Sequence, residues 1–288
     1  YGLAHKMDMV AGRVSGHPDG FGFLIPDEEG EDLFLSPAEM RQVMHGDRVM
    51  ARVTGVDQRG RREGAVVEVL ERAHLTVVGR YVTPNGMGFV VPENKRITQD
   101  IVISRGDENG VRESQIVVAE ITSPPTRHRA PAGRVVEILG DHMAPGMEIE
   151  VAIRAHDIPH VWPQEVRDEV DGLAPQVPAQ ASEGRVDLRG IPLVTIDGED
   201  ARDFDDAVFA EHDGRQWRLI VAIADVSYYV KSGTALDREA YQRGNSVYFP
   251  QNVVPMLPEI LSNGLCSINP KVDRLCMACE MQIDASGN

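Results

Sequence analysis

The segment Gly12-Arg-Val-Ser-Gly-His17-Pro-Asp-Gly-Phe21-Gly-Phe23-Leu-Ile-Pro26 returns 67 residues later as Gly79-Arg-Tyr-Val-Thr-Pro-Asn-Gly-Met87-Gly-Phe89-Val-Val-Pro92. A second pair of segments, Gly64-Ala-Val-Val-Glu-Val-Leu70 and Gly133-Arg-Val-Val-Glu-Ile-Leu139, is displaced by 69. A self-similar unit of this length, made of short alternating runs broken by Asp-Gly and Asn-Gly turns, reads as a duplicated all-β module. With 288 residues the chain has room for that pair and for a further domain. Its 42% apolar and 26% charged residues exclude a disordered or fibrous chain.

Five short strands close naturally into an OB barrel, a form whose exposed face binds oligonucleotides. By the pleat, Phe21 and Phe23 share one face, with Gly22 leaving backbone room between them; His17 and Phe34 are expected to join them. The competing reading places these rings in the barrel core. Gly-Phe21-Gly-Phe23 followed by Asp32-Leu-Phe34-Leu-Ser resembles a cold-shock domain. That resemblance implies that aromatics on adjacent strands stack on bases. The second copy carries Met87 and Phe89 where the first has Phe21 and Phe23, and Ile101-Val-Ile103 in place of Leu33-Phe-Leu35, so it is expected to bind more weakly.

Asp197, Asp203, Asp205 and Asp206 lie within ten residues, in the run TIDGEDARDFDDA. Apolar stretches at 191–196 and 207–210 predict two strands that deliver these carboxylates into one short loop. Carboxylates so close repel and raise one another's pKa unless a cation neutralises them, and oxygen-only ligands suit Mg2+, with Mn2+ as a substitute. A solvated acidic turn is the plainer alternative. An EF-hand is excluded, because counting from Asp203 puts Val208 where its glycine belongs and Gly214 where its bidentate Glu belongs. Asp205 and Asp206 are adjacent and cannot point the same way along a strand, so they are expected to straddle a loop–strand junction.

The run TIDGEDARDFDDAVF, with WRLIVAIADVSYYV, RGNSVYFP, VVPMLPEILSNGLCSINP and DRLCMACEM after it, is similar to the start of the RNB catalytic domain of the RNase II/RNase R family of 3′-to-5′ exoribonucleases, and its wording is nearer the RNase R branch than RNase II. The fold class implied is mostly β with an α+β part: two tandem OB-fold (cold-shock) barrels, then the N-terminal part of an α+β RNB domain. The resemblance implies processive, Mg2+-dependent hydrolysis of RNA to 5′-nucleoside monophosphates, with Asp197, Asp203, Asp205 and Asp206 as catalytic metal ligands. It implies that Tyr248 stacks on a base near the 3′ end. The partners implied are single-stranded RNA and structured RNA with a 3′ overhang, and no membrane; association with the ribosome or a degradation machinery is not readable in any motif. The family's transition-state arginine, second clamping aromatic and C-terminal S1 barrel have no match in this sequence, so this stretch alone is expected to bind RNA and turn over little. The rival from another class is an RNA-chaperone-like pair of cold-shock barrels without nuclease activity.

The boundaries expected are a lead-in at 1–7, barrels at 8–73 and 74–160, a linker at 161–186 marked by Pro163, Pro175 and Pro178, and the truncated catalytic part at 187–288. The chain opens on Tyr1 and stops just past the strand-like run Cys276–Ile283, which reads as a piece of a longer protein. Within the linker Gln164–Gly172 predicts a short helix, and Thr234-Ala-Leu-Asp237 opens another that stops at Gly244. Leu219–Ala224 predicts a strand buried on both faces, ending at Asp225, which is either a further ligand or a strand cap.

Three cysteines and the lack of a signal peptide predict a reducing, cytoplasmic setting. Cys276-Met-Ala-Cys279 has half a zinc site's spacing, but buried strand thiols explain it better. A net charge of −16 opposes phosphate binding, yet the bases are nearly all Arg and cluster at Arg59-Gly-Arg61-Arg62 and Arg127-His-Arg129.

Overall fold

A computed structural model describes residues 8–56, 60–199, 201–250 and 252–288. The expected lead-in at 1–7, Arg59 and Asp200 lie outside the described residues. The chain divides into two compact units, Tyr1–Ile158 and Pro159–Asn288.

In the first unit, β1 (Met9–Gly16), β2 (Gly22–Pro26), β3 (Leu33–Leu35), α1 (Pro37–Met40), β4 (Arg48–Val56) and β5 (Arg62–Glu71) are followed by β6 (Thr76–Val82), β7 (Gly88–Pro92), β8 (Ile101–Ile103), β9 (Gln115–Ser123), β10 (Ala132–Asp141) and α2 (Met147–Ala155). The first five strands close in the order β1-β2-β3-β5-β4, and the next five repeat that circuit as β6-β7-β8-β10-β9. In each barrel the third and fifth strands run parallel, at Phe34 beside Glu63 and at Gly133 beside Ile103. The repeat is therefore a repeat of topology.

Gly12 and Gly79 show why one residue type opens both copies. A Cβ on Gly12 would collide with the carbonyl oxygen of Ile25, and one on Gly79 with that of Val91. Inside the first barrel Val14, Leu24, Leu33, Leu35, Val49 and Ala51 are essentially inaccessible; Val90, Ile101, Val117 and Ala119 fill the second.

The barrels are joined through α1 and the turn that follows it. Gln99 Nε2 donates to the carbonyls of Met40 and Val43 at 2.6 and 2.7 Å, and Arg127 Nη2 holds the Glu39 carboxylate at 2.9 Å. Beneath them Asp47, only 1% exposed, accepts from the backbone N–H groups of Met44 and Ala73, both at 2.9 Å, and from Arg72 Nη1 at 2.8 Å. Arg72 also reaches the carbonyl of Pro125 at 3.4 Å.

The second unit holds α3 (Gln164–Asp171), β11 (Asp206–His212), β12 (Trp217–Ala224), α4 (Val226–Tyr229), α5 (Ala235–Arg243), β13 (Val247–Phe249), β14 (Asn252–Val254) and β15 (Cys276–Ile283). β11, β12 and β15 form an antiparallel sheet with β12 central, and β13–β14 is a separate hairpin. Three expectations are corrected here. The 191–196 run forms no strand and touches β11 through one bridge, Val194 with Val208. β12 buries one face only: Ile220, Ala222 and Ala224 are inside while Ile223 is 47% exposed, because a three-stranded sheet is covered on a single side. On β15 Cys279 is exposed and Cys276 half-buried; buried-thiol character belongs to Cys266 instead, where burial pushes the pKa up to about 12.

The stretch expected as a linker is partly packed. α3 places Val166, with Trp162, Val170 and Leu173, against Leu236, Leu257, Leu261 and Leu265. Glu169 of α3 accepts from the first N–H groups of α5, Ala235 at 2.8 Å and Leu236 at 3.0 Å, where a carboxylate also complements the helix dipole. Thr234 caps the same helix by accepting from Asp237 N–H, and Gly244 ends it at φ 75°. Arg243 lies 3.5 Å over the Trp162 ring and is paired with Glu239 at 2.8 Å.

Asp47→Ala would leave the buried N–H of Met44, the N–H of Ala73 and Arg72 without this acceptor. The expected result is a loss of about 2–4 kcal/mol, read by urea unfolding followed by circular dichroism, with Asp47→Asn losing less.

Candidate nucleic-acid interface and carboxylate site

Strand pairing sets Phe23 of β2 directly opposite Phe34 of β3. Their sequence neighbours Leu24, Leu33 and Leu35 face inward, so alternation puts both phenylalanines on the outer wall. Phe21 joins them at the mouth of β2, with ring centroids 5.8 Å from Phe23 and 5.7 Å from Phe34; Phe23 and Phe34 are 5.9 Å apart. His17 stacks on Phe21 at 4.3 Å with 12° between planes. The core is complete without these rings, which excludes the core reading. Arg61 brings its guanidinium 4.2 Å over the Phe34 ring, beside an open cleft lined by Phe23, Asp32 and Arg62. The sequence marked Arg61 only as one of a basic cluster; the parallel pairing of β3 with β5 is what carries it to the aromatics.

In the second barrel Phe89 sits between Val82 and Val102, half-buried, and Met87 is 56% exposed. The four-ring surface of the first barrel has no counterpart there among the described residues.

In the second unit Asp206 is the first residue of β11 and Asp205 the last of the preceding loop. Asp206 is paired with Ile223, so its side chain lies on the open face of the sheet. Partial enclosure by the loop, then the charges of Asp203, Asp206 and Asp197, push the Asp205 carboxyl above its ordinary range, although the side chain still reaches solvent. The four carboxylates therefore share one electrostatic field.

They do not close into a cradle. Among the described residues no three His, Cys, Asp or Glu side chains come together closely enough to hold a metal ion. Asp203 is turned to Tyr248, whose hydroxyl donates to its carboxylate at 2.6 Å. Tyr248 itself, the central residue of β13, is 63% exposed, and its pKa is raised by that bond and by partial burial. The donor set still fits a hard cation. Mg2+ ordinarily takes one or two protein carboxylates and completes its shell with water and substrate phosphate, so three converging side chains are not required.

Asp225 belongs to a different structure. It is 7% exposed at the end of β12 and accepts from Arg185 Nη2 and from the Ser227 hydroxyl, both at 2.7 Å. Burial works against its charge, but Ser227 and Arg185 outweigh that and hold its carboxyl below the usual range. Of the two readings of this residue, the structure supports the structural one.

The arrangement of tandem barrels ahead of a sheet with an acidic loop is that of RNB-type ribonucleases. Residues 12–69 match the ribonuclease B OB domain, 89–163 the cold shock domain and 185–288 the RNB domain. Ribonuclease R of Acidithiobacillus ferrooxidans is 58% identical over all of this chain and 66% of its own length. The Escherichia coli K12 ribonuclease R is 54% identical over all of this chain and 35% of its own. The solved Mycoplasma genitalium RNase R in complex with ribose methylated single-stranded RNA superposes with a TM-score of 0.85 at 25% identity, covering 96% of this chain and 44% of that one. The chain belongs to the ribonuclease R family, and it spans from about a third to about two thirds of the length of these curated relatives.

Arg185→Ala would leave the buried Asp225 carboxylate without its cation, with the Ser227 hydroxyl and the Tyr228 backbone N–H still beside it. The expected loss is about 2–4 kcal/mol of second-unit stability. Tryptophan emission during urea unfolding reads it selectively, since both tryptophans, Trp162 and Trp217, lie in that unit.

Proposed function

We propose that this chain supplies the RNA-gripping barrels and the acidic loop of a cytoplasmic 3′-to-5′ exoribonuclease that processively removes 5′-nucleoside monophosphates. The observation that carries this reading is the gathering of Asp197, Asp203, Asp205 and Asp206 in one loop, where Asp205 feels the charge of the other three and a cation or cation-bridged phosphate would relieve the repulsion without protonating a carboxyl. Asp197 and Asp206 would hold Mg2+, or Mn2+ in its place, against the scissile phosphate; Asp205 would serve a second ion, and Asp203 would support the set. Bound there, the ions supply Lewis-acid stabilisation of the phosphate oxygens and a more acidic water. Hydrolysis adds water oxygen to phosphorus and breaks the bond to the 3′ oxygen of the penultimate nucleotide, which leaves with a proton. Tyr248 presents an exposed ring to the terminal base while its hydroxyl steadies Asp203.

The partner supported is single-stranded RNA, or structured RNA with a 3′ overhang. The aromatic wall of the first barrel offers stacking faces for successive bases, and such stacking tolerates any sequence, as a processive enzyme requires. Among the described residues no helix is long and apolar enough to cross a membrane. The identity of the relatives favours the RNase R branch over RNase II.

Fluorescence anisotropy with a labelled single-stranded oligonucleotide is expected to show Phe21→Ala, Phe23→Ala and Phe34→Ala each weakening binding about 5- to 150-fold, corresponding to roughly 1–3 kcal/mol per stacked base, with Phe89→Ala losing less. In a chain extended to the relatives' full length, Asp205→Asn is expected to abolish Mg2+-dependent mononucleotide release while leaving RNA affinity within about two-fold. RNA binding without any metal-dependent release by the unaltered long chain would instead support the chaperone-like binding module.

A further inference from the structure

The Ser267 hydroxyl is completely buried, yet it belongs to neither the carboxylate cluster nor the RNA surface. It accepts from the backbone N–H of Phe204 and donates to the backbone carbonyl of Arg202, both at 2.9 Å. These two bonds straddle Asp203. The next anchors follow at once: Ile268 N–H donates to the Phe204 carbonyl at 2.8 Å, and Ala224 N–H to the Asp205 carbonyl at 2.9 Å. Every peptide from Arg202 to Asp205 thus has a fixed partner, while the carboxylates are left to project.

Ser267 is itself held rigidly. It follows the π-helical turn Ile260–Leu265, whose Leu261 and Leu265 are buried in the core with Cys266. Its N–H donates to the Gly264 carbonyl at 3.1 Å, and Arg274 Nε reaches both that carbonyl, at 2.7 Å, and the Ser267 carbonyl, at 3.1 Å. The hydroxyl therefore transmits a core position to the acidic loop.

We infer that Ser267 is a positioning residue for the divalent-cation site: its hydroxyl fixes the backbone on both sides of Asp203, so that mutually repelling carboxylates stay close enough to share a metal ion. This rests on the metal reading of the loop given above. Groups that orient metal ligands without touching the ion typically govern about 10- to 100-fold in affinity.

The test is Mn2+ binding to the purified 288-residue chain, followed by electron paramagnetic resonance, with tryptophan emission to verify folding. Three variants are compared with the unaltered chain: Ser267→Ala; Ser267→Cys, nearly isosteric but a weaker hydrogen-bonding group; and Cys266→Ala, which trims the same buried turn and spares the hydroxyl. The expected result is a weakening of about 10-fold or more in folded Ser267→Ala or Ser267→Cys, with Cys266→Ala within about two-fold. A folded Ser267 variant that binds Mn2+ within two-fold of the unaltered chain, or a Cys266→Ala loss equal to that of the Ser267 variants, overturns the positioning role alone. Failure of the unaltered chain to bind Mn2+ at all overturns the metal reading and this inference with it.

Discussion

Mutual repulsion among Asp197, Asp203, Asp205 and Asp206 is the constraint around which the second unit is arranged. Side chains of one sign cannot hold one another, so the restraint has to come from the backbone behind them. It does: the loop is bonded to β12 through Ala224 and to the buried turn through Ser267 and Ile268. Among the described residues the incoming segment is bonded to the sheet through the Val194–Val208 bridge, which leaves the arm bearing Asp197 less firmly tied than Asp203–Asp206. A site built this way keeps its charged groups near one another without letting them touch, and a bridging cation or phosphate has most to gain by entering.

The barrels were legible in the sequence because their signals are local. A glycine within the first strand, a Gly-aromatic alternation and a valine-rich closing strand each report the conformation of a few residues, and each recurs in the second copy. The pleat put Phe21 and Phe23 on one face, and the buried Leu24, Leu33 and Leu35 decided that this face, with Phe34, is the outer one. What was not legible depended on partners remote in sequence. The apolar run 191–196 looks like a strand but finds one bridge, and the apolar run of β12 suggests two covered faces where the sheet supplies one. The proline-rich stretch before the sheet reads as a linker, yet Val166 and Val170 sit on one side of a helix and meet the leucines of residues 236–265. Ser267 carried no signal at all, because nothing near it in sequence reveals that its hydroxyl reaches a loop more than sixty residues away.

Net charge is a poor guide to the proposed RNA surface for a related reason. Many arginines are already paired with carboxylates, Arg48 with Asp27, Arg134 with Glu120, Arg154 with Glu137 and Arg218 with Glu280, and these pairs contribute little field at a distance. The barrel face relies on aromatic area, with Arg61 laid over Phe34 as a cation that can meet both a base and a phosphate. An acidic net charge is therefore compatible with the proposed nucleic-acid surface, because attraction depends on what lines the face.

The strand circuit shared by the two barrels also bears on how the chain is made. In each, the last strand lies between the third and the fourth, so neither barrel can close until its final strand exists. All strands of the first end at Glu71 and the second begins at Thr76, so the first copy is complete before any of the second has left the ribosome. Each copy thus carries all five strands of its own circuit in one uninterrupted stretch, so a barrel can close from its own segment without borrowing a strand from the other.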